Sequence, residues 1–346
     1  MTNTESMDSD IYLLTGDEIV ALLKDREAEL IEVIRDAYAV YSTGDESLPH
    51  SSFLRFPDND SDRIISLIGY LGGQFQVAGT KWIASFPGNI QKNIERASAA
   101  LILNSTENGR PFAFFESSVI SAKRTAASAV LAATLLKEPE TVTNIGLVGT
   151  GLINFEVSTF LQNKFPDAQT IRIFDLSKER GEQFLERYRD TIGDKEFILC
   201  STVEEVLESS ELISFATTAG TPYIKDIGMC KDDALILHVS LRDICEEAIL
   251  RANNVVDDVD HVSRAQTSIH LAELQVGHRD FVNCNIGDLI AGKSRADFDK
   301  KVTIFSPFGL GVLDLALGKY VFDEGKKQGS GASLPAFFPV SWFERN

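Results

Sequence analysis

The stretch NIGLVGTGLIN, from Asn144 to Asn154, decides how this chain folds. An apolar run ending at Val148 has the length of a buried strand, a Gly-x-Gly turn follows, and the residues after it open a helical pattern. Strand, glycines and helix in that order aim the backbone N–H groups of the helix start, and the helix dipole, at one point. This is an anion site suited to a pyrophosphate. Gly149 permits the tight turn and Gly151 the close approach of backbone to phosphate, with Thr150, Leu152 and Ile153 completing the expected cofactor loop. The sixth position of the motif ordinarily holds a third glycine that lets helix and strand pack closely. Asn154 stands there instead, and the expectation is looser packing with the anion site intact. Downstream, IRIFD reads as a second strand ending in Asp175, somewhat beyond the usual ~20 residues from the loop, with its carboxylate placed to accept ribose hydroxyls. A carboxylate there repels a 2′-phosphate, which favours NAD over NADP. Lys178 and Arg180 lie close by, on a charged helix that reads as a solvated face.

Outward from this loop, strand-like runs NIGLVG, TIRIFD, EFILC, LISFAT, ALILHVS and NVVDD alternate with helical stretches. That alternation predicts an α/β fold with a parallel sheet wound on both faces. The segment before it differs. From Arg63 to Phe115, short apolar segments are broken by glycine, and Asn108-Gly109 is placed to supply the positive φ angles of a tight hairpin, so an antiparallel sheet is expected. Near the start, Thr15 and Glu18 have the spacing of a capping box and predict a helix from Gly16. Ser117 to Leu136 reads as an alanine-rich helix. The segment from Phe305 to Gln328 reads as a glycine-rich turn and a long helix returning to the first domain, followed by a loose tail. The expected division is residues 1–125 with 312–346 as an α+β substrate and dimerisation domain, and 126–311 as a Rossmann-type nucleotide domain.

Composition narrows the function. With 33 basic and 51 acidic residues the chain carries a formal charge of −18, which repels both a nucleic-acid backbone and an anionic membrane surface. No apolar run reads as a membrane span, and the polar, acidic start lacks the pattern of a signal peptide. Cys200, Cys230, Cys245 and Cys284 show no paired spacing and read as buried thiols in a reducing cytoplasm. His50, His238, His261, His270 and His278 show no ligand spacing, so no metal is expected.

The block from Gly79 to Leu136 resembles the ornithine cyclodeaminase/mu-crystallin family. It carries Lys81 in a G-x-K strand, the hairpin about Asn108-Gly109, and Arg124-Thr125-Ala126-Ala127 on a helix, with the Gly149-x-Gly151 loop following. The resemblance extends from about Tyr12 to Tyr320, and KWI and NIERAS look most like its dehydrogenases of 2,3-diaminopropionate formation in siderophore gene clusters. It implies an NAD-dependent amino-acid dehydrogenase that oxidises N-(2-amino-2-carboxyethyl)-L-glutamate with water to 2-oxoglutarate and L-2,3-diaminopropionate. It also implies a homodimer built through the sheet domains.

By the same resemblance Lys81 and Arg124 bind substrate carboxylates, and Asp243, after the strand ALILHVS, is the catalytic base that activates water, with Lys81 beside it in the chemistry. Taken alone, Arg124 reads as a surface helix charge and Asp243 as a cap for the next helix. Arg55, in a polar loop, is a third cation for a substrate with three carboxylates, or simply an exposed arginine. Arg96 falls near the cofactor, or pairs with a neighbouring acid. Thr217 and Thr218 line the nicotinamide ribose or form only a turn, and Gly309 and Asp314 match the C-terminal pattern, with Gly309 near the nicotinamide. After Asp243 the chain reads RDICEEAIL, without the lysine and longer acidic segment of cyclodeaminases. This departure favours the dehydrogenase branch over a cyclodeaminase. An alanine dehydrogenase, an imine reductase and a non-catalytic mu-crystallin-like binding protein are the other readings.

Overall fold

The computed structural model describes residues 10–192, 195–294 and 298–339. In chain order its strands are β1 (Ile11–Leu14), β2 (Glu46–Ser47), β3 (Ser52–Phe56), β4 (Asn59–Leu71), β5 (Val77–Ser85), β6 (Ala97–Ser105), β7 (Pro111–Glu116), β8 (Asn144–Val148), β9 (Thr170–Phe174), β10 (Glu196–Leu199), β11 (Leu212–Phe215), β12 (Ala234–His238), β13 (Asn253–Val256), β14 (Val282–Asn285), β15 (Val302–Ser306) and β16 (Ala332–Leu334). The helices used below are α1 (Gly16–Leu23), α2 (Glu27–Tyr41), α3 (Ser118–Leu136), α4 (Leu152–Lys164) and α5 (Lys178–Ile192). The chain divides into two compact units. One holds the described residues through Arg26, Thr43–Ser121 and those from Gly311 onward; the other holds Glu27–Ser42 and Ala122–Leu310. The expected boundaries kept α2 with the first of these, but it clusters with the second, where the Tyr38 hydroxyl lies 2.7 Å from Ser128 Oγ.

The first unit is a sheet in the order β16-β1-β7-β6-β5-β4-β2, with β3 paired to β4. Strands β4 to β7 form an antiparallel meander. The expectation of an antiparallel sheet needs one amendment, because β1 joins β7 in parallel. Side chains alternate across the sheet, as a period of two requires. Leu67, Lys81, Leu101 and Phe115 lie directly across from one another on one face, and all four are buried. The C-terminal helix Gly311–Gln328 packs against β4, β5 and β6. Ile68, Trp82 and Phe114 are exposed and occupy the alternate positions.

Thr15 caps α1 as its spacing predicts, with Glu18 Oε2 accepting from Thr15 N at 2.8 Å. Other expectations are corrected. The tail is not wholly loose, since β16 pairs antiparallel with β1. In the hairpin only Gly109 takes a positive φ, +76°, while Asn108 Oδ1 accepts from Arg110 N at 2.9 Å, which closes a wider loop. Arg55 lies within β3 rather than in a loop, directly opposite Arg63 of β4.

The second unit is a parallel sheet in the order β10-β9-β8-β11-β12-β15-β13-β14. β11 and β12 are buried throughout, as expected for strands covered on both faces. β14 and β15 lie outside the strands expected from sequence: VNCN lacks an apolar run, and VTIFS runs into the glycine-rich turn expected from Phe305. The strand order reverses direction at β8, where β9 lies on one side and β11 on the other, and such a switch point opens a ligand crevice at the carboxyl ends of the strands. α3 is apolar and long enough, at 19 residues, to cross a membrane by length and composition alone, contrary to the expectation of no such run. It carries Lys123 and Arg124, and two-thirds of its window is buried, as in the core helix of a globular unit.

Candidate active site

The glycine loop between β8 and α4 has the geometry a dinucleotide requires. Gly149 has φ +92°, and a Cβ there would stand 2.6 Å from the Ala216 carbonyl oxygen, so only glycine fits. Gly151 caps α4 in an extended conformation, and a Cβ built on it meets nothing within 4 Å. Open space in front of the first turn of a 13-residue helix is a cradle that phosphate oxygens can enter, and Thr150, Leu152 and Ile153 line the turn.

Asn154 departs from its expected role. It is fully buried, and its Nδ2 donates to the carbonyls of Val148 at 2.8 Å and Gly149 at 2.7 Å. Its Oδ1 accepts from Ser214 Oγ at 2.7 Å. The side chain therefore ties the loop to β11 instead of loosening it. Asn154→Gly, which restores the usual motif, is expected to cost about 2 kcal/mol, because the Ser214 hydroxyl and two loop carbonyls lose buried partners. A thermal melt checks this, and a variant as stable as the parent would refute it.

Asp175 follows β9, with Oδ2 accepting from Thr150 N at 2.9 Å and Thr150 Oγ1 at 2.6 Å, and Oδ1 accepting from Ser177 N at 2.9 Å. A carboxylate accepts about four hydrogen bonds, so acceptor capacity remains for ribose hydroxyls. Lys178 at the start of α5 pairs with Glu182 at 3.6 Å on an exposed face.

Asp243 is fully buried. Thr217 Oγ1 donates to its Oδ1 and Ser240 Oγ to its Oδ2, while His238 Nε2 lies 3.3 Å from Oδ2. Burial raises the Asp243 carboxyl, but hydrogen bonding and charge from His238, then the Ser240 and Thr217 hydroxyls, outweigh it and hold the group below the ordinary carboxylate range. Asp243 does not cap a helix, since Cys245 caps Glu246–Leu250. Leu241 between these groups has φ +67°, a costly conformation for a side chain with a Cβ and one that concentrates at functional sites. Thr217 and Ser240 are half-buried, so their hydroxyls link the enclosed carboxylate to the outside; Thr218 is exposed beside them.

At the same sheet edge a cavity of about 190 Å³ is lined by Arg124, Thr125, Ser128, Ile153, Val239 and the segment Pro307–Gly309. Arg124 is buried, and Gly309, with φ +93°, lies so close that a Cβ would meet Arg124 Nη1 at 2.9 Å. The surface-charge reading of Arg124 is thereby replaced by a guanidinium in a pocket wall. Beneath Gly309 lies a residue that the sequence reading missed. Asp257 accepts from Phe308 N at 2.8 Å and Gly309 N at 2.7 Å, and its only sequence signal is the acid ending NVVDD at a strand terminus. Burial pushes its carboxyl up to about 6 from 3.8. Between those values the folded chain keeps a proton that the unfolded chain has released, so stability falls as pH rises through the window. Asp257→Asn is expected to flatten that slope in melts recorded across the pH range; an unchanged slope would assign it elsewhere.

In the other unit, Lys81 Nζ pairs with Asp314 Oδ2 at 2.8 Å and donates to Ser121 Oγ at 3.0 Å. Both charged residues are almost wholly enclosed, at 2% and 0% side-chain exposure. Ser121 stands on α3, three residues before Arg124. Arg96 precedes β6, with Nη1 3.3 Å from Ser85 Oγ, and Arg55 is exposed, with its guanidinium 5.9 Å from the Phe53 ring centre. The expected alternative for Arg96, an ion pair with a neighbouring acid, has no partner among the described residues.

Comparison with known proteins places this geometry. Residues 15–329 match the model of the ornithine cyclodeaminase/mu-crystallin family. An N-((2S)-2-amino-2-carboxyethyl)-L-glutamate dehydrogenase of Staphylococcus aureus is 27% identical over 88% of this chain and 92% of its own length. An alanine dehydrogenase of Archaeoglobus fulgidus is 26% identical over 94% and 98%. Among solved structures, the Thermococcus litoralis Delta(1)-pyrroline-2-carboxylate reductase in complex with NADH and L-proline shares the fold with a TM-score of 0.86, at 20% identity, over 93% of this chain and 99% of that one.

Proposed function

The chain belongs to the ornithine cyclodeaminase/mu-crystallin family, and from that premise we propose that it oxidises N-(2-amino-2-carboxyethyl)-L-glutamate with NAD and water. The products are L-2,3-diaminopropionate, 2-oxoglutarate and NADH, and the setting is siderophore or related secondary-metabolite synthesis in the cytoplasm. The class is that of its relatives, NAD-dependent enzymes acting on amino-acid C–N bonds. The observation that carries this reading is a glycine cradle and an enclosed Asp243 at the carboxyl edge of one sheet, with the Thr217 and Ser240 hydroxyls donating to the acid. Similarity to the staphylococcal dehydrogenase, and the short segment from Asp243 to the Cys245 cap, support the substrate over ornithine.

Bound NAD supplies the hydride acceptor, held by Gly149, Gly151 and the first turn of α4, with Asp175 toward the ribose. Hydride loss from the glutamate α-carbon leaves a cationic iminium, which the fixed charge of Asp243 favours. The Thr217 hydroxyl takes a proton from the attacking water while passing its own to Asp243 Oδ1, and collapse of the adduct frees the ketone and the amine. Lys81 and Arg124 hold carboxylates, Arg124 through its planar fork. The exposed apolar positions Ile68, Trp82 and Phe114 support pairing of two chains through the sheet.

The test is the NADH absorbance produced from NAD and the proposed substrate, run beside ornithine and alanine, with products identified by mass spectrometry and the solution mass measured by light scattering. Diaminopropionate and 2-oxoglutarate from a two-chain particle are expected. Turnover of ornithine or alanine alone would overturn the substrate, and a one-chain particle the dimer.

A further inference from the structure

The sheet unit contains a row of arginines that forms no ion pair among the described residues. Arg55 of β3 lies directly opposite Arg63 of β4, and Arg63 directly opposite Ser85 of β5. Arg96 reaches the same point from the segment before β6, with Nη1 3.3 Å from the Ser85 hydroxyl oxygen and its own carbonyl fixed by Phe86 N at 2.8 Å. Phe56 and Phe86 stack edge to face beside the row, with ring centres 5.6 Å apart. The Arg63 Nε is buried and finds no acceptor among the described residues. Burial and then its neighbour Arg55 disfavour its charge, as burial and then Arg63 do for Arg96.

Like charges directly opposed on a sheet destabilise it, and a buried guanidinium donor without an acceptor adds to that cost. The chain has 51 acidic residues, yet among the described residues no carboxylate forms an ion pair with any of these three. Three guanidiniums that no described carboxylate pairs with are open to an anionic ligand. Strand geometry says where such a ligand lies. Lys81 and Ser85 are four residues apart on β5, on the same face, roughly 13 Å along the strand. The arginine row thus stands about four residues along the sheet from the lysine that Asp314 and Ser121 hold.

We propose that Arg55, Arg63 and Arg96 form an oxyanion site for the dicarboxylate portion of the substrate, with the central Arg63 setting the preference for polycarboxylates over a monocarboxylate such as alanine. This rests on the functional reading above and extends it to a residue that neither motif nor resemblance had marked. Three forked guanidiniums suit two adjacent carboxylates through paired, charge-assisted hydrogen bonds.

Calorimetric titration of the full chain with 2-oxoglutarate, and with acetate as monocarboxylate control, tests the site without requiring turnover. The parent is expected to bind 2-oxoglutarate in preference to acetate and less tightly at high salt. Arg63→Met should weaken 2-oxoglutarate at least tenfold, Arg63→Lys should recover only part of the loss, and NADH affinity should stay unchanged. Arg63→Met should melt no lower than the parent, because a residue kept for binding relieves repulsion when removed. Equal 2-oxoglutarate affinity in parent and Arg63→Met, or a loss confined to NADH, would overturn the proposal. If Arg63→Met melts much lower, Arg63→Lys decides: full retention of 2-oxoglutarate affinity there would make Arg63 a structural residue. Arg63-dependent binding without turnover of the glutamate adduct would retire the reaction and keep the site; turnover with an unchanged KM in Arg63→Met would do the reverse.

Discussion

Asp314→Ala is expected to destabilise the sheet unit by about 3–5 kcal/mol, because it strands a lysine ammonium in a site from which water is excluded. Lys81 and Asp314 are 2.8 Å apart and almost completely enclosed, so neither charge has solvent to fall back on. The companion Lys81→Met/Asp314→Leu, which removes both charges and keeps the volume, should melt near the parent while losing catalytic turnover. Calorimetric melts of the three proteins separate the two consequences. If Asp314→Ala costs less than about 1 kcal/mol, the pair does not neutralise Lys81 and its role as a held charge fails.

Asp243→Asn is expected to lower kcat on the order of a thousandfold, with NAD affinity preserved. The amide keeps the shape of the carboxylate but removes the charge that the Thr217 and Ser240 hydroxyls donate to. NAD contacts the cradle at Gly149 and Gly151 in this account, so binding and turnover should separate cleanly in NADH titrations and initial-rate measurements. A variant retaining more than a tenth of parental kcat would remove Asp243 from the proton path. The pH dependence follows from the same environment. The folded carboxyl titrates below its ordinary value, so its contribution to stability and activity is present above the unfolded pKa and is lost as pH falls through the lower folded one.

How far these sites could be read from sequence varies with how local their causes are. The capping box at Thr15, the alanine-rich α3 and the Gly149 turn each depend on residues within a few positions, and each was legible. The hairpin was legible in place but not in detail, because Asn108 used its side chain to close the loop instead of taking a positive φ. Asn154 was misread because the motif describes what a glycine would do there, whereas the amide's acceptors and its Ser214 donor come from the loop and from β11. β14 escaped because its alternation is polar; β15 escaped because its five residues adjoin a glycine-rich turn.

The sequence by itself determined the α/β class, the alternation of strands and helices around the dinucleotide loop, and the resemblance that singled out Lys81, Arg124 and Asp243. The class and the loop follow from hydrophobic period, turn chemistry and spacing, which are properties of short stretches of chain; the three residues follow from the resemblance alone. Only the tertiary structure decided that Lys81 is paired with Asp314, 233 residues away, that Asp257 holds the backbone of Gly309, that Asp243 accepts from the Thr217 and Ser240 hydroxyls, and that Arg55, Arg63 and Arg96 share one row. Each of these depends on strand register and on burial. A shift of one residue in a strand would send every side chain to the other face, and no local pattern records which distant charge will be enclosed beside another.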